Sequence, residues 1–131
     1  MNSLKYLIYS FVLSAILFVS CAQNSDENSI TVDQLREQMS SDTDLVILDV
    51  RNPDELIGPL GHIDGVINIP VQELESRLGE LQEYKEREIA LICRTGRRSG
   101  IGTEILLRNG FSAKNVLGGM IEYRATESKE E

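Results

Sequence analysis

A short apolar run that ends in a cysteine constrains the fold of this chain more than any other feature. The run Ile89-Ala90-Leu91-Ile92 leads directly into Cys93, and a helical pattern follows from Ser99 to Asn109. A buried strand, a loop and a helix form the repeating unit of open α/β sheets, which place ligand sites at the carboxyl ends of their strands. We therefore expect Cys93 to be exposed at a strand end, close to a helix N-terminus.

The loop after this strand has the composition of an anion-binding site. It consists of Arg94, Thr95, Gly96, Arg97, Arg98 and Ser99. Backbone N–H groups, the positive end of a helix and the arginines would all lower the pKa of the Cys93 thiol, because each stabilises the thiolate. A buried structural cysteine is the alternative interpretation. A glycine between charged residues favours a tight, anion-binding turn, so we predict that Cys93 is a nucleophile.

Apolar runs and helical patterns alternate along the rest of the domain. Strands are predicted at residues 45–50, 66–69, 88–92 and 116–117, and helices at residues 33–39, 53–55, 71–81 and 99–109. Thr31 or Ser29 is the expected N-cap of the first helix, and Gly110 follows the end of the last one. This alternation predicts an α/β fold, a small parallel sheet with helices on both faces.

Two of these helices have a predicted buried face. In the segment 71–81 the apolar residues recur every three or four positions, which predicts a single amphipathic helix. In the helix after the Cys93 loop, Ile101, Ile105 and Leu106 are expected to form the buried stripe.

The N-terminus has the pattern of a secretory signal. Tyr6 to Val19 is a nearly unbroken apolar run, too short for a membrane span of about 20 residues. Phe18-Val19-Ser20-Cys21 resembles a bacterial lipobox. We therefore predict a signal peptide over 1–20, a tether over 21–29 with Cys21 lipidated, a domain over 30–123 and an acidic tail over 124–131. The predicted location is the bacterial cell envelope, with a lipid anchor in the membrane.

Composition argues against several classes of partner. The formal net charge is −8, and all 21 acidic residues follow Cys21, so nucleic acid is not an expected partner. One histidine and two cysteines provide no ligand spacing for a metal cluster. Neither a metal nor another cofactor is therefore predicted.

The motifs, taken in order, resemble those of single-domain rhodaneses. Leu48-Asp49-Val50-Arg51 resembles the family's strand end, and the stretch from Gly61 to Pro70 resembles its Gly-His-Ile motif. The stretch from Cys93 to Ser99 resembles its active loop, which spans six residues, and Gly118-Gly119 resembles its closing double glycine. The resemblance covers residues 30–123 and departs from the family only locally, with Asp64 where proline is common.

The resemblance implies a sulfurtransferase. Cys93 would take sulfane sulfur from a small anionic donor such as thiosulfate and pass it, through a persulfide, to a thiol or cyanide acceptor. Residues 94–99 would bind the donor, and the sequence does not distinguish which of Arg97 and Arg98 faces it. For Asp49 and Arg51 we expect a buried ion pair rather than a role in orienting the substrate, and for His62 a structural hydrogen bond rather than a catalytic cysteine–histidine pair.

Three other functions remain as alternatives. A phosphatase or arsenate reductase of this fold would place five residues between cysteine and arginine, whereas Cys93 and Arg98 are separated by four. A non-catalytic binding module typically lacks the cysteine that is present here. A persulfide carrier would use the same Cys93 chemistry, and the sequence does not separate it from a sulfurtransferase.

Overall fold

The computed structural model describes residues 27–41 and 44–127. The elements in chain order are β1 (Ser29–Ile30), α1 (Val32–Ser41), β2 (Val46–Asp49), α2 (Pro53–Leu56), β3 (Ile67–Asn68), α3 (Val71–Leu74), a 3₁₀ helix (Glu75–Tyr84), β4 (Glu88–Ile92), α4 (Arg97–Arg108), β5 (Ser112–Val116) and α5 (Gly119–Glu127). Within the described ranges, no helix is long and apolar enough to cross a membrane.

The five strands form one parallel sheet in the order β1-β5-β4-β2-β3. Val46 of β2 pairs with Ile89 of β4, and Asp49 pairs with Ile92. Because all strands run in the same direction, their carboxyl ends lie along one edge of the sheet. Asp49, Cys93 and the end of β5 therefore meet there.

Alternate residues of the central strands pack into two separate cores. Leu48 and Leu91 contribute to the core that contains residues of α3, the 3₁₀ helix and α4. Ile47 and Ala90 contribute to the core beneath α1 and α5. Since successive side chains of a strand point to opposite faces, helices cover both faces, which confirms the predicted α/β architecture.

The first helix begins directly after Thr31, one of the two residues predicted as its N-cap. The hydroxyl of Thr31 accepts a hydrogen bond from the Gln34 backbone N–H at 3.1 Å, and the Gln34 side chain accepts one from the Thr31 N–H at 2.8 Å. This reciprocal pair identifies Thr31 as the N-cap. Ser29, which the sequence assigned to the tether, instead lies in β1.

The segment predicted as a single helix over 71–81 is a composite. One α-helical turn, α3, is followed by the 3₁₀ helix. Leu74 and Leu81 are fully buried, and Leu78 packs against the same core. A 3₁₀ helix has three residues per turn, so Leu78 and Leu81 share a face in this geometry as well. The predicted apolar face is therefore present although the helix type differs.

The helix after the Cys93 loop begins earlier than predicted, and its buried face is different. It begins at Arg97 rather than Ser99. Ile105 and Leu106 are buried as predicted, but Ile101 is 51% exposed, so its assignment to the buried stripe was wrong. Gly102 occupies that face instead. A Cβ at this position would lie 2.8 Å from Leu91 Cδ2, so a larger residue would hold α4 away from β4.

The last helix was not predicted. The sequence assigned residues 124–131 to an acidic tail, whereas α5 continues to Glu127 and buries Met120 and Tyr123. Arg124 donates hydrogen bonds to the carbonyl oxygens of Leu60 and His62 at 2.8 and 2.9 Å. Cys21, the signal segment and most of the tether lie outside the described residues.

Candidate active site

Cys93 lies directly after β4, as predicted, but its side chain is buried rather than exposed. Only 1% of the residue is accessible to solvent. Its sulfur accepts hydrogen bonds from the Gly96 backbone N–H at 3.1 Å and from the Ser99 hydroxyl at 3.2 Å. The sulfur is thus held by donors of its own loop, an arrangement that suits a negatively charged atom.

These donors explain the acidity of the thiol. Burial alone raises the pKa of Cys93, but the hydrogen bonds from the Ser99 hydroxyl and from the backbone N–H groups of Ser99, Thr95 and Gly96 outweigh it, and the pKa falls below its ordinary value. The sequence analysis attributed this lowering partly to the loop arginines. The structure instead places its main causes in the hydrogen bonds.

Gly96 gives the loop its shape. Its φ of 98° lies in the left-handed region, which glycine adopts without strain, and it forms the N-cap of α4. A Cβ at this position would lie 3.3 Å from both the Gly118 nitrogen and the Val116 carbonyl oxygen. A larger residue would therefore push the loop away from the end of β5 and move the N–H group that binds the sulfur.

The first turn of α5 supports the loop from behind. The backbone N–H of Met120 donates to the Cys93 carbonyl oxygen at 2.8 Å, and that of Ile121 donates to the Arg94 carbonyl oxygen at 3.1 Å. A Cβ on Gly119 would lie 2.5 Å from the Cys93 carbonyl oxygen. The double glycine therefore allows the helix to approach the loop closely enough to fix its backbone.

The three loop arginines have different environments. Arg94 and Arg97 are exposed, whereas Arg98 is partly buried. The Arg98 guanidinium donates two hydrogen bonds to the Glu55 carboxylate, at 2.7 and 2.8 Å. This ion pair lowers the pKa of Glu55 to about 2. The charge of Arg98 also interacts with that of Cys93.

Asp49 and Arg51 form the predicted buried ion pair. Arg51 Nη2 lies 2.6 Å from Asp49 Oδ2, and the two side chains are 1% and 0% exposed. The same guanidinium donates to the carbonyl oxygens of Glu55 at 3.2 Å and Gly61 at 2.7 Å. Arg51 therefore ties the end of β2 to α2, the helix that positions Glu55 beside Arg98.

His62 lies outside this hydrogen-bond network. Its ring nitrogen Nδ1 is 3.1 Å from the carbonyl oxygen of Leu56, on an exposed side chain. The sulfur of Cys93 has its hydrogen-bond partners in its own loop instead. This geometry agrees with a structural hydrogen bond rather than with a cysteine–histidine pair.

Glu55 and Asn115 are neighbours of the site that the sequence analysis did not assign. Asn115 Oδ1 lies 2.7 Å from the Ser99 hydroxyl, which also lies next to Cys93. A hydroxyl has one hydrogen, so Ser99 donates either to the thiolate or to Asn115. One signal was available: Glu55 is three residues after Asn52, the spacing of a capping box. Asn115 gave none, because it precedes the predicted strand 116–117, whereas β5 spans Ser112–Val116.

Removing the Ser99 hydroxyl should raise the pKa of Cys93. In Ser99→Ala the thiolate loses a donor while burial stays, so the charged form becomes less favourable. The measurement is the rate of alkylation by iodoacetamide as a function of pH: the curve should move to higher pH, with slower reaction at neutral pH. Thr103→Val is the matched control, because Thr103 is a buried hydroxyl of the same helix that bonds the Ser99 carbonyl oxygen. An unchanged curve in Ser99→Ala would contradict this assignment.

Comparison with known proteins identifies the family. A family model described as Rhodanese-like domain matches residues 31–126. The chain is 36% identical over 107 residues to the putative sulfur carrier protein YrkF of Bacillus subtilis, covering 77% of this chain and 56% of the relative. It is 33% identical over 103 residues to the probable adenylyltransferase/sulfurtransferase MoeZ of Mycobacterium tuberculosis, covering 78% and 26%. The chain thus spans about half or less of the length of these relatives.

Solved structures of rhodanese-like proteins share the fold of this chain. A rhodanese-like domain protein from Staphylococcus aureus superposes with a TM-score of 0.66 at 31% identity, covering 73% of this chain and 90% of that one. A rhodanese-related protein from Thermoplasma volcanium gives a TM-score of 0.67 at 33% identity, covering 76% and 92%. The region that the family model matches, residues 31–126, contains β2, the Cys93 loop and the double glycine. The chain therefore belongs to the rhodanese-like domain family.

Proposed function

We propose that the protein is a sulfurtransferase that carries sulfane sulfur on Cys93. The observation that supports this most is the sulfur of Cys93, which accepts hydrogen bonds from Gly96 and Ser99 inside a six-residue loop. These donors lower the thiol pKa and would equally stabilise a terminal persulfide anion. The names of the relatives, a sulfur carrier and a sulfurtransferase, agree with this chemistry.

The proposed reaction has two steps. The Cys93 thiolate attacks the outer sulfur of thiosulfate or a similar donor; a new S–S bond forms, and the old one breaks as sulfite leaves with its electron pair. A thiophilic acceptor, a thiolate or cyanide, then attacks the outer sulfur of the persulfide. The bond to Cys93 breaks, and its electron pair regenerates the thiolate. Loop N–H groups would stabilise the anions as an oxyanion hole does.

The environment of Arg98 argues against a phosphatase. In that reaction an arginine must bind the oxygens of the phosphoryl group, and here both terminal nitrogens of Arg98 bind Glu55. The loop also has one residue fewer between cysteine and arginine than the phosphatase pattern requires. A loop of this size suits a single terminal sulfur better than a tetrahedral phosphoryl group.

Mass measurement tests the function directly. The purified protein, incubated with thiosulfate, should gain the mass of one sulfur atom, and cyanide should remove it with release of thiocyanate. The same preparation should hydrolyse aryl phosphates at no more than the background rate. Cys93-dependent phosphate hydrolysis without sulfur uptake would refute the proposal.

A sulfur carrier is a second candidate, favoured by the burial of Cys93. A side chain that is 1% exposed can retain a persulfide longer than an open site can. A carrier would load one sulfur and release it rapidly only to a specific acceptor. Steady-state turnover with thiosulfate and cyanide distinguishes the two functions, because a carrier would load but turn over slowly.

We also propose that the protein is anchored in the bacterial cell envelope through Cys21. The support is the apolar run Tyr6 to Val19 followed by a lipobox-like sequence. When the chain is expressed in a bacterium with a lipoprotein pathway, the mature protein should carry lipid mass and sediment with membranes. Cys21→Ala should remove the lipid mass. A soluble mature protein that begins at another residue would contradict this prediction.

A further inference from the structure

Four exposed aliphatic side chains lie around the Cys93 loop. The described residues include five large hydrophobic side chains that are well exposed: Met39 at 38%, Ile57 at 87%, Ile101 at 51%, Leu117 at 44% and Ile121 at 42%. All except Met39 belong to segments that contain the loop residues or that form hydrogen bonds or ion pairs with them. We call Ile57, Ile101, Leu117 and Ile121 the aliphatic rim.

Two members of the rim contact the loop through their backbone. The N–H of Ile121 donates to the Arg94 carbonyl oxygen at 3.1 Å. The Cα of Leu117 lies 3.6 Å from the position that a Cβ on Gly96 would occupy. Leu117 therefore lies beside Gly96, whose N–H binds the sulfur of Cys93, and Ile121 is bonded to the residue that follows Cys93.

The other two members belong to the helices joined by the ion pair of the site. Ile57 is the C-cap of α2, two residues after Glu55, whose carboxylate binds Arg98. Ile101 lies on α4 one helical turn after Arg97, so the two residues share a helix face. The rim residues thus belong to α2, to α4 and to the segment from the end of β5 to the first turn of α5, all of which bond to residues of the loop.

The exposed charges of the Cys93 loop itself are positive, whereas exposed carboxylates, Asp54, Glu104 and Glu122, lie on the helices that carry the rim. Arg94 and Arg97 are exposed, and neither forms an ion pair with any residue in the described ranges. The whole chain has a formal net charge of −8. An aliphatic patch with two exposed arginines on an otherwise acidic protein is complementary to a surface that is both aliphatic and acidic.

We propose that the aliphatic rim docks a partner protein that presents a cysteine on an aliphatic and acidic segment. This inference rests on the proposed sulfur transfer through Cys93. The buried sulfur requires the reacting thiol to enter the loop, and a partner seated on the rim would direct it there. A second copy of this chain is disfavoured, because two such faces would bring like-charged arginines together.

The docked partner is an acceptor of sulfur. Its cysteine thiolate attacks the outer sulfur of the Cys93 persulfide, so that a new S–S bond forms on the partner. The S–S bond to Cys93 breaks, and the electron pair returns to Cys93 as a thiolate. The step needs no external oxidant or reductant. Docking would increase its rate by holding the two sulfur atoms in position.

Two synthetic peptides with one cysteine each test the docking. In the first, leucines and glutamates flank the cysteine; in the second, lysines replace the glutamates. Protein loaded with thiosulfate should discharge to the acidic peptide roughly tenfold faster than to the basic one at low salt, and the ratio should fall as salt increases. Equal rates for the two peptides would overturn the proposal.

Substitutions in the aliphatic rim distinguish docking of the acceptor from the chemical step of sulfur transfer. Ile57→Asn and Ile101→Asn should each slow discharge to the acidic peptide by roughly three- to tenfold, while discharge to cyanide, too small to reach the rim, stays the same. Met39→Asn is the matched control: Met39 is similarly exposed, but lies beside Tyr123 and Arg124 in a different groove. It should change neither rate. Equal slowing with cyanide in the rim variants would overturn the proposal.

Two further outcomes assign the rim to another occupant and also overturn the proposal. One is binding to vesicles of anionic phospholipid that the rim variants abolish while peptide discharge is unaffected. The other is a concentration-dependent dimer that disappears in the same variants. Failure of Cys93 to load sulfur refutes the proposed function itself, whereas loading without peptide discrimination refutes only the docking.

Discussion

Cys93→Ser is expected to abolish sulfur transfer and leave the fold intact. Serine offers no thiolate and cannot hold sulfane sulfur as a persulfide, so the rate from thiosulfate to cyanide should fall by at least about 10³-fold. The substitution keeps the size of the side chain and an acceptor for the N–H of Gly96 and the hydroxyl of Ser99. The free energy of unfolding should therefore change by no more than about 1 kcal/mol.

Cys93→Ala separates the role of the sulfur in catalysis from its role as an acceptor. This variant should be equally inactive, but less stable than Cys93→Ser, because it leaves loop donors without a partner at a buried position. Activity is measured as thiocyanate formation and stability by urea unfolding. Sulfur transfer that persists in either variant would place the persulfide on another residue.

Asp49→Ala is expected to have the largest effect on stability. It leaves the charge of Arg51 buried, with a side chain that is 1% exposed and without its carboxylate partner. Removing one member of a buried ion pair typically costs about 3–5 kcal/mol. The stability of a domain is only about 5–15 kcal/mol, so the urea midpoint should fall sharply, and the protein should be partly unfolded at elevated temperature.

A double variant tests whether the unpaired charge is the cause. Asp49→Leu combined with Arg51→Met replaces both charges by apolar groups and should be less destabilised than Asp49→Ala. It should still lose sulfur transfer. The carbonyl oxygens of Glu55 and Gly61 lose their donor, so α2 no longer holds Glu55 beside Arg98. Glu73→Gln, which breaks an exposed pair with Arg77, is the surface control and should leave the midpoint nearly unchanged. A double variant no more stable than the single one would contradict this account.

The central strands and the position of Cys93 after β4 could be predicted because they depend on local patterns, whereas β1 was not predicted and β5 was predicted only at 116–117. The apolar runs of β2 and β4 are nearly continuous, as expected for strands buried on both faces. The double glycine also matched a motif. What that motif does, allowing the first turn of α5 to bind the Cys93 and Arg94 carbonyl oxygens, depends on residues distant in sequence and could not be predicted from it.

The wrong predictions for Ile101 and for residues 124–127 also concern contacts between residues that are distant in sequence. Ile101 was assigned to the core because its spacing from Ile105 and Leu106 fits a helix face, but the close approach of Gly102 to β4 decides which face is buried. Residues 124–127 were assigned to a tail because of their polar composition. Arg124 binds carbonyl oxygens 64 and 62 residues away, and such contacts leave no periodic signal.

The burial of Cys93 also affects how long the residue survives in an oxidising environment. Thiolates are oxidised stepwise to sulfenic, sulfinic and sulfonic acids, and susceptibility increases with both thiolate character and exposure. Cys93 has a lowered pKa but is only 1% exposed. Reactivity is thus separated from accessibility: in the proposed function the sulfur attacks a molecule that fits the loop, whereas peroxides in bulk solution would collide with it rarely. Irreversible loss of the nucleophile would thereby be slowed, although no second cysteine lies within residues 27–41 and 44–127 to protect it.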